Sequence, residues 1–160
     1  MKEKMKRIIS LLFLACCCSI LFAVPAMAEN LSDDFSVETD TNEDYAEDTT
    51  YSVLRGNNLS FGTTTIKKLA SNKVIITGIT QCHHTCSKVY LSVYLERKVN
   101  GSYGTYKYWN FTANNVTHLE KTLDVAVPSG TYYRVRGYHA ASNGGLKEST
   151  STLTSGIMVK

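Results

Sequence analysis

The sequence predicts an all-β domain, a seven-stranded antiparallel β-sandwich over residues 51–160, and three observations carry that prediction. From Tyr51 onward, apolar and polar residues alternate in short runs. Those runs are separated by Gly, Asn, Ser or Pro, the residues that turns demand. No stretch of this region carries the 3.6-residue period of an amphipathic helix. Short antiparallel strands at this spacing favour a sandwich.

Residues 59–66 and 73–80 open the series. In residues 88–99, Val89, Leu91, Val93 and Leu95 fall on one face and Tyr90, Ser92, Tyr94 and Glu96 on the other. Asn100-Gly101 signals a hairpin, because both residues tolerate positive φ. The return strand is residues 103–112. A two-residue turn opposes Val93 with Tyr108, whereas a three-residue loop opposes it with Trp109. Leu119, Leu123, Val125 and Val127 then alternate up to a Pro128-Ser129-Gly130 turn. Residues 131–140 set Tyr133 and Val135 against Tyr132, Arg134, Arg136 and Tyr138. A Ser142-Asn143-Gly144-Gly145 loop leads to the last strand, residues 147–159.

Residues 1–28 read as a cleavable secretory signal peptide. Lys2, Lys4, Lys6 and Arg7 precede an apolar run that reaches Val24, and Pro25-Ala26-Met27-Ala28 supplies an A-x-A cleavage site. The run is near the lower limit for spanning a bilayer, which argues against an anchor. Lipidation at Cys16 is a rival, but Phe13 stands where such a signal carries Leu. Cleavage removes Cys16, Cys17 and Cys18, leaves Cys82 and Cys86, and leaves no transmembrane span. The chain is therefore expected to be secreted, free outside the cell or associated with its surface.

The formal net charge of +3 conceals an asymmetry. Residues 29–50 hold nine Asp and Glu with no Lys or Arg. Residues 51–160 hold thirteen Lys and Arg against Glu96, Glu120, Asp124 and Glu148, a balance of 13 − 4 = +9. The acidic stretch reads as a disordered linker, since it buries too little apolar surface to offset its ordering entropy. A second reading makes it a pro-segment that screens the basic body. The body favours anionic partners: a surface polymer, a glycan or an acidic protein. No nucleic-acid-binding motif is present.

If loops alternate between the two ends of a sandwich, Cys82, His83, His84, Cys86, His118 and His139 gather at one pole. In an oxidising compartment Cys82 and Cys86 are expected to form a disulfide. The alternative is a zinc site built from Cys82, His84, Cys86 and His139, for which the C-x₃-C spacing is adequate. A catalytic Cys–His pair ranks below both, because oxidation removes the thiolate. No nucleophile elbow, P-loop or H-E-x-x-H motif occurs, and no enzyme is expected. Tyr90, Tyr94, Arg134, Arg136 and Tyr138 are candidates for a binding surface, set against ordinary cross-strand pairing.

Two resemblances follow from these residues. Val127-Pro128-Ser129-Gly130-Thr131-Tyr132-Tyr133-Arg134-Val135-Arg136-Gly137-Tyr138, with the Gly-rich loop and Ser/Thr-rich strand after it, resembles the last two strands of fibronectin type III domains. That resemblance implies an immunoglobulin-like or fibronectin-like sandwich with a corner hydrogen bond from Tyr133 or Tyr132. The leader, the acidic lead-in, Arg55-Gly56-Asn57-Asn58, Cys82-His83-His84-Thr85-Cys86 and Tyr133-Arg134-Val135-Arg136-Gly137-Tyr138-His139-Ala140 together are similar to an uncharacterised family of small exported Gram-positive bacterial proteins. It implies no residue roles. The expected function is a non-enzymatic exported binding module. A secreted effector or antimicrobial-type polypeptide with an acidic pro-region is the alternative, and a zinc-binding protein ranks third.

Overall fold

The computed structural model describes residues 39–52 and 56–160, all within the second of the chain's two units, which begins at Phe35. The expected signal peptide, residues 29–38 of the acidic segment, and residues 53–55 lie outside the described residues.

Eight strands follow in chain order: β1 (Asp40–Thr41), β2 (Tyr45–Tyr51), β3 (Leu59–Ala70), β4 (Lys73–Val99), β5 (Ser102–Ala126), β6 (Thr131–Asn143), β7 (Leu146–Leu153) and β8 (Gly156–Val159). No helix occurs among the described residues. One mixed sheet, ordered β1-β8-β6-β4-β3-β2 with β5 on β4 and β7 on β6, curls nearly closed into a barrel. The parallel pair is β1 with β8, and the other pairings are antiparallel.

The all-β, sandwich-like class matches the sequence expectation; the strand count does not. Residues 73–80 and 88–99, expected as two strands, belong to the single 27-residue β4. The return strand and its successor likewise merge into the 25-residue β5. The last expected strand divides into β7 and β8.

Strand β4 is long because it serves both layers. Its first half lies between β3 and the second half of β5, and its second half between β6 and the first half of β5. The change of layer occurs between Gln81 and Cys86. Those residues pair with His118 and Val116, so Cys82, His83, His84 and Thr85 stand opposite Thr117 alone. The excess is 4 − 1 = 3 residues, an odd number. Alternation has a period of two, so an odd excess moves one strand's buried set to the opposite parity. The core shows it. On β4 the buried aliphatic, thiol and hydroxyl side chains are Val74, Ile76, Thr80, Cys82 and Cys86, then Val89, Leu91, Val93 and Leu95. On β5 the inward set runs Val125, Leu123 and Leu119, then Val116 opposite Cys86, then Ala113, Phe111 and Trp109.

The bend brings the two halves of β4 face to face. A Cβ on Gly78 would lie 2.9 Å from Val93 Cγ2 and 3.0 Å from Leu91 Cδ1, so only glycine lets the layers approach this closely there. At the far end, Asn100 (φ 51°) and Gly101 (φ 88°) make a two-residue turn with the positive φ pair of a type I′ hairpin. Val99 faces Ser102, yet Val93 faces Trp109, because Tyr106 is an extra residue between the Leu95–Lys107 and Glu96–Thr105 pairs. Turn length and register are thus both settled, by a bulge.

Residues 39–50 also depart from expectation. They supply β1 and most of β2, and Ala46 is buried. Their acids have partners: Asp40 with Lys98 and Tyr103 at 2.7 and 2.5 Å, Asp44 with Lys68, and Asp48 with the Leu153 N–H at 2.7 Å. Burial opposes ionisation of Asp40, but the Lys98 and Tyr103 hydrogen bonds outweigh it and hold the carboxyl below its ordinary range. Composition reads this stretch as a linker because the partners lie far along the chain. The domain boundary expected at residue 51 falls at the last residue of β2.

The expected corner is present. Tyr133 is fully buried at its ring, and its hydroxyl donates to the Pro128 carbonyl at 2.8 Å. Tyr133→Phe leaves that carbonyl without its partner and is expected to lower stability by about 1 kcal/mol, read as a lower urea midpoint with an unchanged slope.

Candidate functional site

Antiparallel pairing sets directly opposed residues on the same face. Ser92 opposes Tyr138, Tyr94 opposes Arg136, and Glu96 opposes Arg134. The five residues singled out from sequence, Tyr90, Tyr94, Arg134, Arg136 and Tyr138, therefore share the outer face of the β5-β4-β6-β7 layer, away from Val89, Leu91, Val93 and Leu95.

Cations and rings interleave across this face. Lys147 Nζ lies 4.6 Å from the Tyr90 centroid and 5.6 Å from that of Tyr138, and Lys88 Nζ lies 5.3 Å from Tyr90. The Arg136 guanidinium lies 4.1 Å from the Tyr94 centroid, and Tyr94 stacks on Tyr108 at 6.1 Å. Arg134 lies 4.0 Å from the Tyr103 centroid. These are cation–π distances. Glu96 ties Arg134 and Arg136 together, accepting from their Nε atoms at 2.8 and 3.0 Å. Glu96 is buried at 6 % exposure, so its two hydrogen bonds from guanidinium groups compensate its desolvation. Lys98 pairs with Asp40. Lys88 and Lys147 have no carboxylate partner among the described residues. The sequence located five residues of this face but missed Lys88 and Lys147. Lys147 lies on β7, two strands from β4, and no local pattern links it to Tyr90.

The Cys/His pole does not assemble. It was inferred from loops, but Cys82–Cys86 lies inside β4, residues 113–118 are continuous β5, and His139 is within β6. No group of three or more His, Cys, Asp or Glu side chains able to hold a metal occurs among the described residues. The proposed set Cys82, His84, Cys86 and His139 is not a cluster. His84 is exposed and lies 3.4 Å from Asn143 Nδ2. His118 is on the other side of the bend, contacting Gln81 and Glu120.

His139 is fully buried, over Gly62, where a Cβ would come within 2.3 Å of the ring. Its Nδ1 lies 3.1 Å from Thr80 Oγ1 and its Nε2 3.0 Å from Thr152 Oγ1. Thr64 donates to Thr152 at 2.9 Å, and Thr80 donates to the Tyr90 carbonyl at 3.0 Å. One assignment satisfies every partner: Thr152 donates to Nε2, and the Nδ1–H donates to Thr80. Both ring nitrogens are thus engaged in a neutral imidazole that joins the two layers. Burial lowers its pKa to about 4, despite the opposing pull of the Ile79 carbonyl.

Cys82 and Cys86 are buried free thiols in contact with each other. Burial, followed by Cys86 and the charge of Glu148, pushes the Cys82 thiol up to about 12, which disfavours the thiolate needed for nucleophilic or zinc chemistry. Beside them the Glu148 carboxylate accepts from the N–H groups of Asn57, Asn58 and Leu59 at 3.0, 3.0 and 2.8 Å. Burial opposes ionisation of Glu148, but the three N–H groups and His83 overcome it, so its pKa is lowered.

Residues 29–157 match the family described as "Family of unknown function (DUF6147)". No curated protein matches the chain. No helix among the described residues is long and apolar enough to cross a membrane.

His139 makes stability pH-dependent with a defined sign. The unfolded imidazole titrates near 6.5 and the folded one at about 4, so unfolding takes up a proton between these values. The contribution is complete above pH 6.5 and declines as pH falls towards 4, by about 3 kcal/mol in all. Urea midpoints measured across that window are expected to fall steeply in the native chain and less in His139→Gln.

Proposed function

We propose, for a chain that belongs to this family of unknown function, an exported, non-enzymatic module that binds an anionic polymer or glycan across the outer β5-β4-β6-β7 face. The observation that carries this reading is that Lys88 and Lys147 flank Tyr90 and Tyr138 with no carboxylate among the described residues to neutralise them. Tyrosine rings offer flat apolar surface for sugar rings while keeping a polar tip in water. Lysine and arginine supply charge for phosphate, sulfate or carboxylate groups. Export is supported by the leader and by the family match, which starts at Glu29, the residue after the expected cleavage site. A pro-segment removed near Arg55 fits the structure less well, because that cut takes β1 and β2 out of the sheet.

In an oxidising compartment Cys82 and Cys86 form a disulfide as the chain folds, before burial disfavours the thiolate, by exchange with an oxidised dithiol protein that leaves with two thiols. The bond closes the β4 bulge and fixes the bend. Intact mass of the exported protein is expected to be two hydrogens lower than the dithiol form, with no alkylation after denaturation. Two alkylatable thiols contradict it.

For the face, binding of a sulfated glycan such as heparin, followed by titration calorimetry at increasing salt, is the test. Lys88→Ala/Lys147→Ala is expected to weaken binding about tenfold, whereas Lys121→Ala, whose side chain lies over Phe111 of β5, leaves it nearly unchanged. Equal losses in both variants indicate general charge attraction and overturn the assignment to this face.

A further inference from the structure

At the tip of the β4–β5 hairpin lies a pocket of about 420 Å³ lined by Arg97, Val99, Ser102, Tyr103, Gly104, Thr105 and Tyr106. Three independent features coincide there. Arg97 Nε is the one buried side-chain polar atom without a hydrogen-bond partner among the described residues. A buried guanidinium N–H left unpaired costs more than a neutral donor, so such an atom calls for a missing acceptor. The pocket wall also contains the Tyr106 bulge, where β5 carries one residue more than β4. Bulges re-aim side chains and backbone beside binding sites. Finally, no carboxylate lines the pocket.

Arg97 opposes Gly104 on β5 and Tyr133 on β6, so it follows Leu95 on the inward side of β4, at the open end of the core. Neighbouring residues leave it available. Glu96 is taken by Arg134 and Arg136, and Asp40 by Lys98 and Tyr103. The pocket walls supply the hydroxyls of Ser102 and Thr105 and the ring of Tyr106, which packs edge-on against Tyr133 at 6.1 Å. Gly104 brings bare backbone to the wall.

We propose that this pocket is an oxyanion-binding site in which the Arg97 guanidinium, whose buried Nε has no partner within the protein, donates to a phosphate or carboxylate oxygen. The ring of Tyr106 and the hydroxyls of Ser102 and Thr105 border the group that carries the anion. The planar fork of arginine suits oxyanion geometry. The pocket volume exceeds what an isolated oxyanion needs, leaving room for a small carrier such as a sugar ring. Arg97, Val99, Ser102 and Gly104 lie on the inward side of the hairpin tip, Tyr103 and Thr105 form the border with the outer face, and neither Lys88 nor Lys147 lines the site.

The test is a titration of the full exported chain, followed by NMR of the Arg97 Nε–Hε and the Gly104 and Thr105 amides. Inorganic phosphate forms one arm, acetate a second, and an uncharged monosaccharide the control. Saturable shifts at these three groups are expected with phosphate or acetate at dissociation constants in the millimolar range, roughly −4 kcal/mol. Which arm saturates first identifies the oxyanion. Arg97→Lys keeps the charge but removes Nε and is expected to weaken binding about tenfold, with Tm confirming that it folds. Absence of saturable shifts in the native chain, or equal shifts in Arg97→Lys, overturns the proposal. Loss of heparin binding in Lys88→Ala/Lys147→Ala leaves these shifts in place, so the two sites fail separately.

Discussion

The fold depends on three surplus residues in β4. Between Gln81 and Cys86, β4 carries four residues where β5 carries one. Because the surplus is odd, the inward sets, even on β4 and odd on β5 before the bulge, share one parity after it: Cys86 with Val116, then Val89, Leu91 and Val93 with Ala113, Phe111 and Trp109. An even surplus would send Val89, Leu91, Val93 and Leu95 to solvent. At roughly 1.5–3 kcal/mol for each of these four side chains, about 6–12 kcal/mol in all, that outcome is comparable with the whole stability of a small domain. The Gly78 approach to Leu91 and Val93, the thiol pair and the His139 network all lie downstream of this bend.

The acids of the body illustrate how its charge is distributed. Glu96 binds two arginines, Asp124 binds Lys73, Glu120 meets His118, and Glu148 accepts three backbone N–H groups. Each of the four carboxylates is engaged locally. The surplus of positive charge therefore remains on lysines and arginines elsewhere, and Lys88 and Lys147 hold part of it over tyrosine rings. The cross-layer polar network carries no formal charge at neutral pH, since burial keeps His139 unprotonated. Charge is placed outside and hydrogen bonding inside, as desolvation costs require.

Local signals in the sequence proved reliable. The Asn100-Gly101 turn, the 89–95 alternation and the Tyr133 corner each depend on residues within a few positions of one another. Signals that needed distant partners failed. The acidic segment looked unpartnered because Lys98, Tyr103, Lys68 and Leu153 are separated from it by 24 to 105 residues. The break in alternation at His83-His84-Thr85 looked like a loop, since a bulge within a continuous strand and a turn between two strands leave the same pattern. From that misreading came the histidine–cysteine pole, which rested on counting loops.

The sequence by itself determined the all-β class, the hairpin, the inward aliphatic rows and the alternation that sends Tyr90, Tyr94, Arg134, Arg136 and Tyr138 outward. These follow from a two-residue period and from local turn chemistry, which need no knowledge of neighbours. Tertiary structure alone decided that Lys147 and Lys88 flank Tyr90, that Arg97 lines a pocket with its Nε unpartnered, and that His139 serves the core. Each of those depends on register between strands distant in sequence. Register here is set by bulges at Cys82–Cys86 and Tyr106, whose size is fixed by which pairing buries the most apolar surface and is not written in any local run of residues.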